Sequence, residues 1–366
     1  MTKRALFCIP SFTFGGAEKH SFQTAKVLLE EGYEVYFLAF GKKDGFDTFL
    51  QSQRIKTLSF DNANFQNSGP IKKILIIFRL LGVLRQIKPI YIFSGTKHEN
   101  ILMGIVWRFS GAKKFFWHQW GIDETKPSKL ERFVILSKPI YIANSRACAQ
   151  NIFMRHRIKN FKSIFIIHNP VSIGEQFQSI NENVDEFRIL MTANFFPEKD
   201  HKTVIKAIQL INLKHPKNNI KLIFAGSAPG ISSQLMDCKS FAFDLGLSKE
   251  QIQFLGKVED IVDLIKRCHL GLLSTKNEGM SNAIMEYMAT GLPVIATDID
   301  QNKELMGDHN ITLLFPVGDS EKCAELIQYF YLNHDQIKKV GMSNYNRIKQ
   351  HFNFEIYRLK ILSILH

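Results

Sequence analysis

The sequence predicts an α/β protein made of two doubly wound, Rossmann-like domains with a cleft between them. Three observations carry that prediction. The chain has 366 residues, too many for one ordinary α/β domain and suited to two. Short apolar, β-rich runs alternate with helical stretches from end to end, as in βαβ units. The alternation is broken once, by the polar segment at residues 171–186 (VSIGEQFQSINENVDE), the best candidate for a linker.

Taken in order, the first half places strands at residues 5–11, 35–40, 55–60, 90–94, 114–117, 140–144 and 164–168. Runs such as ALFCI are apolar throughout, which suits strands buried on both faces of a parallel sheet. Helices fall between them. One covers 17–31 and stops at Gly32; another covers 71–86 and stops before Pro89. A second series places strands at 189–194, 221–225, 252–254, 270–274, 293–297 and 312–315. The closing stretch NFEIYRLKILSILH reads as an amphipathic helix. The expected division is therefore 1–172, 173–350 and a final helix at 351–366, with strand C-termini facing the cleft.

Composition narrows the function. Hydrophobic residues make up 45% and charged residues 22%, so the chain is globular and not disordered. Its 31 phenylalanines promise large aromatic cores. A net charge of +13 favours an anionic partner: nucleic acid, an anionic membrane surface or a phosphorylated ligand. The basic residues are scattered and no nucleic-acid module is present, which argues against nucleic acid. Five cysteines, none in a C-x-x-C pair, read as reduced core residues of a cytoplasmic protein. The start, MTKRALFCIP, lacks a signal peptide's long apolar core and cleavage site. Apolar runs such as ILIIF are far too short to span a bilayer.

Two stretches carry chemistry. FGGAEKH, residues 14–20, follows the first strand and opens the first helix. Gly15 and Gly16 let a ligand approach the backbone, and a helix N-terminus offers free N–H groups to a phosphate. The pattern is not G-x-G-x-x-G, and a plain structural turn accounts for it equally well. The second stretch is EGMSNAIME, residues 278–286. Gly279, Met280, Ser281 and Asn282 form a small loop at a helix head, and Ser281 or Asn282 caps that helix. Glu278 lies in the loop and Glu286 about one turn into the helix. Two such carboxylates suit recognition of sugar or ribose hydroxyls, or the work of a glycosidase; Glu286 as a mere helix residue also fits.

EGMSNAIMEYMATGLPVIATD resembles the signature of the retaining glycosyltransferases of family four, Glu, seven residues, Glu. FGGAEKH, ANSRACAQN, IHNPV, TANFFPEKDHKTVIKAI, FAGSAPG and FLGKVEDI resemble further family segments in the expected order, so the likeness covers nearly the whole chain. The resemblance implies the GT-B fold, with an acceptor-binding first domain, a donor-binding second domain and a final helix packed back on the first. It implies that Glu286 binds the donor ribose and that Glu278 contacts the sugar hydroxyls. Gly279, Met280, Ser281 and Asn282 would face sugar and phosphate, and Lys199 would hold the diphosphate as a point charge. Gly15 and Gly16 would donate N–H groups to the phosphates, Gly256 and Val258 would flank the nucleobase, and His118 would sit near the reacting sugar. The same series places Asn194 where the family has an arginine, and Asp300–Gln301 where it often has two glycines.

The resemblance further implies a metal-independent hexosyltransferase without a cofactor, using a nucleotide sugar, UDP-linked, as its donor. The acceptor class is a glycan or a polyprenyl-diphosphate-linked glycan of surface polysaccharide or O-antigen assembly. Asp298-Ile-Asp300 resembles a metal motif but has no supporting ligands and reads as a strand-end turn. The helix at 71–86, IKKILIIFRLLGVLRQ, is apolar and basic. It suits either the first domain's core or an anionic membrane at the inner face of the plasma membrane. A nucleotide-sugar 2-epimerase and a lapsed nucleotide-sugar-binding scaffold share the fold and stand as alternatives.

Overall fold

The computed structural model of the chain describes residues 3–60, 65, 68–174, 186–228 and 233–365. Most of the expected linker, residues 175–185, lies outside the described residues. The chain divides into two compact units, Met1–Asn169 with Tyr357–His366, and Pro170–Ile356.

The first unit runs β1 (Arg4–Ile9), α1 (Gly16–Glu30), β2 (Glu34–Ala39), α2 (Phe46–Ser52), β3 (Lys56–Ser59), α3 (Pro70–Ile87), β4 (Tyr91–Ser94), α4 (Lys97–Ser110), β5 (Lys114–Gln119), α5 (Lys129–Leu136), β6 (Ile140–Ala143), α6 (Arg146–Arg155) and β7 (Ile164–Ile166). Its strands form one parallel sheet in the order β3-β2-β1-β4-β5-β6-β7. The order reverses between β1 and β4, the kind of switch point outside whose strand C-termini ligands of open α/β sheets bind. The phenylalanine surplus is used here. Phe37, Phe7, Phe93 and Phe116 stand in register on four adjacent strands, their rings stacked at 5.0, 4.7 and 4.4 Å. Register on a pleated sheet puts opposed side chains on one face, so in-register phenylalanines stack.

Local chemistry sets the helix ends. Pro70 occupies the first position of α3, where its missing N–H costs nothing, and Lys88 closes that helix in a left-handed conformation. Ser128 and Ser145 cap α5 and α6 through their hydroxyls. The end of the chain is tied into this unit: the Tyr357 hydroxyl lies 2.5 Å from Thr24 Oγ1, and Tyr91 donates to the Leu365 carbonyl at 2.9 Å.

The second unit runs β8 (Phe187–Thr192), α7 (His201–Lys214), β9 (Ile220–Ala225), α8 (Ser233–Asp244), β10 (Ile252–Gly256), α9 (Ile261–Lys266), β11 (Leu270–Leu273), α10 (Asn282–Ala289), β12 (Val294–Thr297), α11 (Asp300–Met306), β13 (Leu314–Phe315), α12 (Ser320–Leu332) and α13 (His334–His351). The last helix, α14 (Phe354–Leu365), begins in this unit and ends in the first. The sheet is parallel, in the order β10-β9-β8-β11-β12-β13, and its order reverses between β8 and β11. One expected strand is shorter than its sequence pattern: Thr312 and Leu313 close a 3-10 turn, Asp308–Leu313, and only Leu314–Phe315 pair with β12. All five cysteines are buried thiols.

Candidate active site

In the second unit the site is built at the β8/β11 reversal. The loop after β8 and the loop after β11 are zipped together by main chain. Asp200 N–H donates to the Ser274 carbonyl at 3.0 Å and Lys276 N–H to the Glu198 carbonyl at 2.8 Å. Lys199 and Thr275 form an antiparallel bridge between them. Thr275 is held in turn by Thr297 of β12, whose hydroxyl donates to its carbonyl at 2.8 Å. On this frame the Lys199 ammonium meets the Glu278 carboxylate, in a largely buried ion pair.

Glu278 is also held from behind. The Gln301 side-chain amide, buried at the head of α11, donates to its carbonyl at 2.9 Å. Gln301 was read in the sequence only as a departure from a glycine pair; its role as a brace had no local signal. Gly279 and Met280 are buried in the turn that follows. Ser281 is the cap of α10, its hydroxyl accepting from Ile284 N–H at 3.3 Å, which leaves Asn282 as the first helical residue. Glu286 lies half-buried one turn further on. Beneath it Tyr287 is fully buried, and its phenol accepts the Thr192 N–H of β8 at 2.5 Å. Burial pushes that phenol's pKa up, so it stays neutral.

Asn194 points along the same rim. Its side-chain oxygen accepts Ser227 N–H at 2.8 Å, and Gly226 N–H reaches the Gly256 carbonyl at 2.8 Å. Asn194 thus stitches the ends of β8 and β9, and Gly256, in the left-handed region, ends β10. Val258 is half-buried against the unit's core. Three buried oxygens on the rim, Thr192 Oγ1, Ser274 Oγ and Asn277 Oδ1, have no hydrogen-bond partner among the described residues. Native interiors leave few such atoms, and these mark places where a polar ligand or water belongs. Asp298 pairs with Lys303 at 2.7 Å, and Asp300 opens α11.

The first unit carries its own polar cluster at its strand ends. Gly15 caps α1 in extended conformation without a side chain, and the Glu18 carboxylate folds over it so closely that a β-carbon on Gly15 would overlap it. His118, on β5, is 2% exposed, and its Nε2 has no partner among the described residues. Burial, with His20 nearby, lowers its pKa to about 3, so it is a neutral imidazole near pH 7. Trp120 packs edge-on to it at 4.8 Å.

Glu99, on the first turn of α4, was not foreseen as a site residue. It is 2% exposed, and burial, with the Glu18 charge nearby, raises its pKa to about 7. An ordinary carboxyl titrates near 4.5. The stability it contributes as a neutral acid is complete below that value and lost as pH rises through 7. Glu99→Gln cannot ionise. Thermal melts should show wild type losing ~3 kcal/mol relative to the variant between pH 5 and pH 8. A difference that stays flat with pH would show that Glu99 titrates normally.

Residues 172–348 match the family model described as glycosyl transferases group 1. The Bacillus subtilis (strain 168) protein named as the glycosyltransferase EpsD is 30% identical over 47% of this chain and 44% of its own length. This chain therefore spans less than half of that relative. The Staphylococcus aureus capsular polysaccharide biosynthesis glycosyltransferase CapH is 23% identical over 80% of each chain. Among solved structures, Anabaena Alr3699/HepE in complex with UDP and glucose superposes with a TM-score of 0.83, at 19% identity over 99% of both chains. At that identity the likeness is one of fold.

Proposed function

We propose an activity for the chain, supported by the match of residues 172–348 to the glycosyl transferases group 1 model. It is a retaining glycosyltransferase moving a hexose or N-acetylhexosamine from a UDP-sugar to a glycan or polyprenyl-diphosphate-linked glycan. The observation that carries the proposal is the Lys199–Glu278 pair, seated at the β8/β11 reversal beside the capped head of α10. Ligands of open α/β sheets bind at such reversals. The structural neighbour HepE, solved with UDP and glucose, supports UDP as the nucleotide, and CapH supports a role in surface polysaccharide assembly.

In the proposed reaction the bond from the sugar's anomeric carbon to the UDP oxygen breaks, and a bond from that carbon to an acceptor oxygen forms on the same face. The acceptor's proton passes to a phosphate oxygen of the departing UDP. Lys199 and the N–H groups at the head of α10 take up the negative charge that develops on the diphosphate, without a metal or cofactor. Glu278 positions the sugar through its hydroxyls and Glu286 holds the ribose; Gly256 and Val258 flank the base. In the first unit, Gly15 and Gly16 offer N–H groups to a phosphate, and neutral His118 offers a hydrogen bond to a sugar. The acceptor class and the positive charge suit work at the inner face of an anionic membrane.

Titration calorimetry with UDP, GDP and ADP tests the reading. UDP should bind selectively, and Glu286→Ala should weaken it about 10- to 100-fold, the loss of a charge-assisted hydrogen bond. Equal binding by the variant would remove Glu286 from the donor site. No binding of any nucleotide would reduce the family likeness to one of fold.

A further inference from the structure

We propose that the outward face of α3 docks this protein onto an anionic lipid bilayer, with the helix lying in the membrane interface. The α3 sequence, PIKKILIIFRLLGVLRQI, contains no acid. Its inner face is ordinary: Ile76, Leu80, Leu81, Leu84 and Ile87 are buried. Its outer face is not. Ile71 is 75% exposed and Phe78 66%, and Ile74 and Leu75 are each more than half exposed. Spacing of three, four and seven residues puts these four on one stripe, opposite the core. A soluble helix normally turns charge to water there, and a contiguous exposed apolar stripe marks an interaction surface.

Charge selects the occupant. Lys72 and Arg79, seven positions apart, are exposed on the same flank of the stripe, and Arg85 is exposed further along. Two neighbouring aromatic rings carry cations of this helix as well: the Arg79 guanidinium lies 5.6 Å from the Phe60 ring and the Lys73 ammonium 5.8 Å from Phe65. An apolar stripe edged by cations matches an acyl boundary edged by anionic headgroups. A second copy of the chain fits poorly. A two-fold contact through this face would oppose like charges with no acid on the helix to offset them. No helix among the described residues is long and apolar enough to cross a membrane, so the contact is interfacial and not spanning. The α3 face contains none of the residues assigned to the donor site.

Vesicle flotation tests it. The full chain should float with phosphatidylcholine vesicles containing phosphatidylglycerol, not with pure phosphatidylcholine, and should be released by salt. Lys72→Ala with Arg79→Ala should weaken binding about 25-fold, at about fivefold for each cation. Ile74→Ser with Phe78→Ser should weaken it about tenfold or more. Both pairs change exposed side chains and should keep the wild-type melting temperature. Absence of flotation, or equal flotation by the variants, would overturn the proposal. So would concentration-dependent dimerisation, seen by sedimentation, that Phe78→Ser abolishes. UDP binding measured on the same preparations separates this surface from the donor site: either can fail while the other stands.

Discussion

Lys199→Ala is expected to lower sugar transfer from a UDP-sugar by about 10²- to 10³-fold while the protein stays folded. The size follows from the role. Lys199 is the cation seated at the β8/β11 reversal, beside the head of α10, and it pairs with Glu278. A fixed positive charge aimed at a leaving diphosphate acts mainly in the transition state, so its loss falls on kcat more than on KM. The fold should survive because the Lys199 backbone, not its side chain, makes the bridge to Thr275, and alanine keeps that bridge. Gln301 continues to hold the Glu278 carbonyl. Lys199→Arg keeps the charge and should recover part of the rate. The measurement is UDP release under saturating donor, with a thermal melt beside it. Turnover within about threefold of wild type, in a protein that melts normally, would remove Lys199 from the mechanism.

Gly271→Val should destabilise the second unit by about 3 kcal/mol or more, lowering Tm by several degrees and taking UDP binding with it. Gly271 lies in β11, and any β-carbon there would overlap the Tyr287 ring. Tyr287 is fully buried and its phenol is bonded to β8, so the ring cannot swing clear without giving up that bond. The ring belongs to α10, between Glu286 and the buried Met288. Displacing it moves the helix that carries Ser281 and Glu286. Tyr287→Phe, which removes only the acceptor for Thr192 N–H, should cost about 1–3 kcal/mol and leave α10 in place. Gly271→Val combined with Tyr287→Leu, which vacates part of the space, should recover stability beyond the sum of the single changes. Chemical denaturation and UDP calorimetry on the wild type and these variants read this out. A wild-type melting temperature for Gly271→Val would show that the close packing does not seat α10.

How much of this was legible without the structure varies by residue. The α10 region was readable because its cues are local: a small-residue loop, a capping serine and a helix-spaced glutamate fall within the single stretch EGMSNAIME. Gln301 stood out in the sequence only as a departure from a glycine pair; its bracing role had no local cue, since its partner, the Glu278 carbonyl, lies 23 positions away. Glu99 had no local signal at all. Its unusual proton affinity comes from burial and from Glu18, which is distant in sequence. The helix at 71–86 left two readings open, core helix or lipid-facing helix, because it is apolar on both faces and periodicity alone cannot say which face is covered.

The alternation of strands and helices, the two-part organisation and the residues that resemble a donor site are all present in the linear chain. They are written in patterns of period two or 3.6, or in short motifs, which a chain carries wherever it folds. Which of these residues meet is a property of the folded molecule alone. Lys199 and Glu278 are 79 positions apart, Thr192 and Tyr287 are 95 apart, and the two halves of the phenylalanine stack meet across β1 and β4, strands that are not consecutive. Strand order and register bring them together, and these are set by the burial of whole sheets, not by any local run of residues.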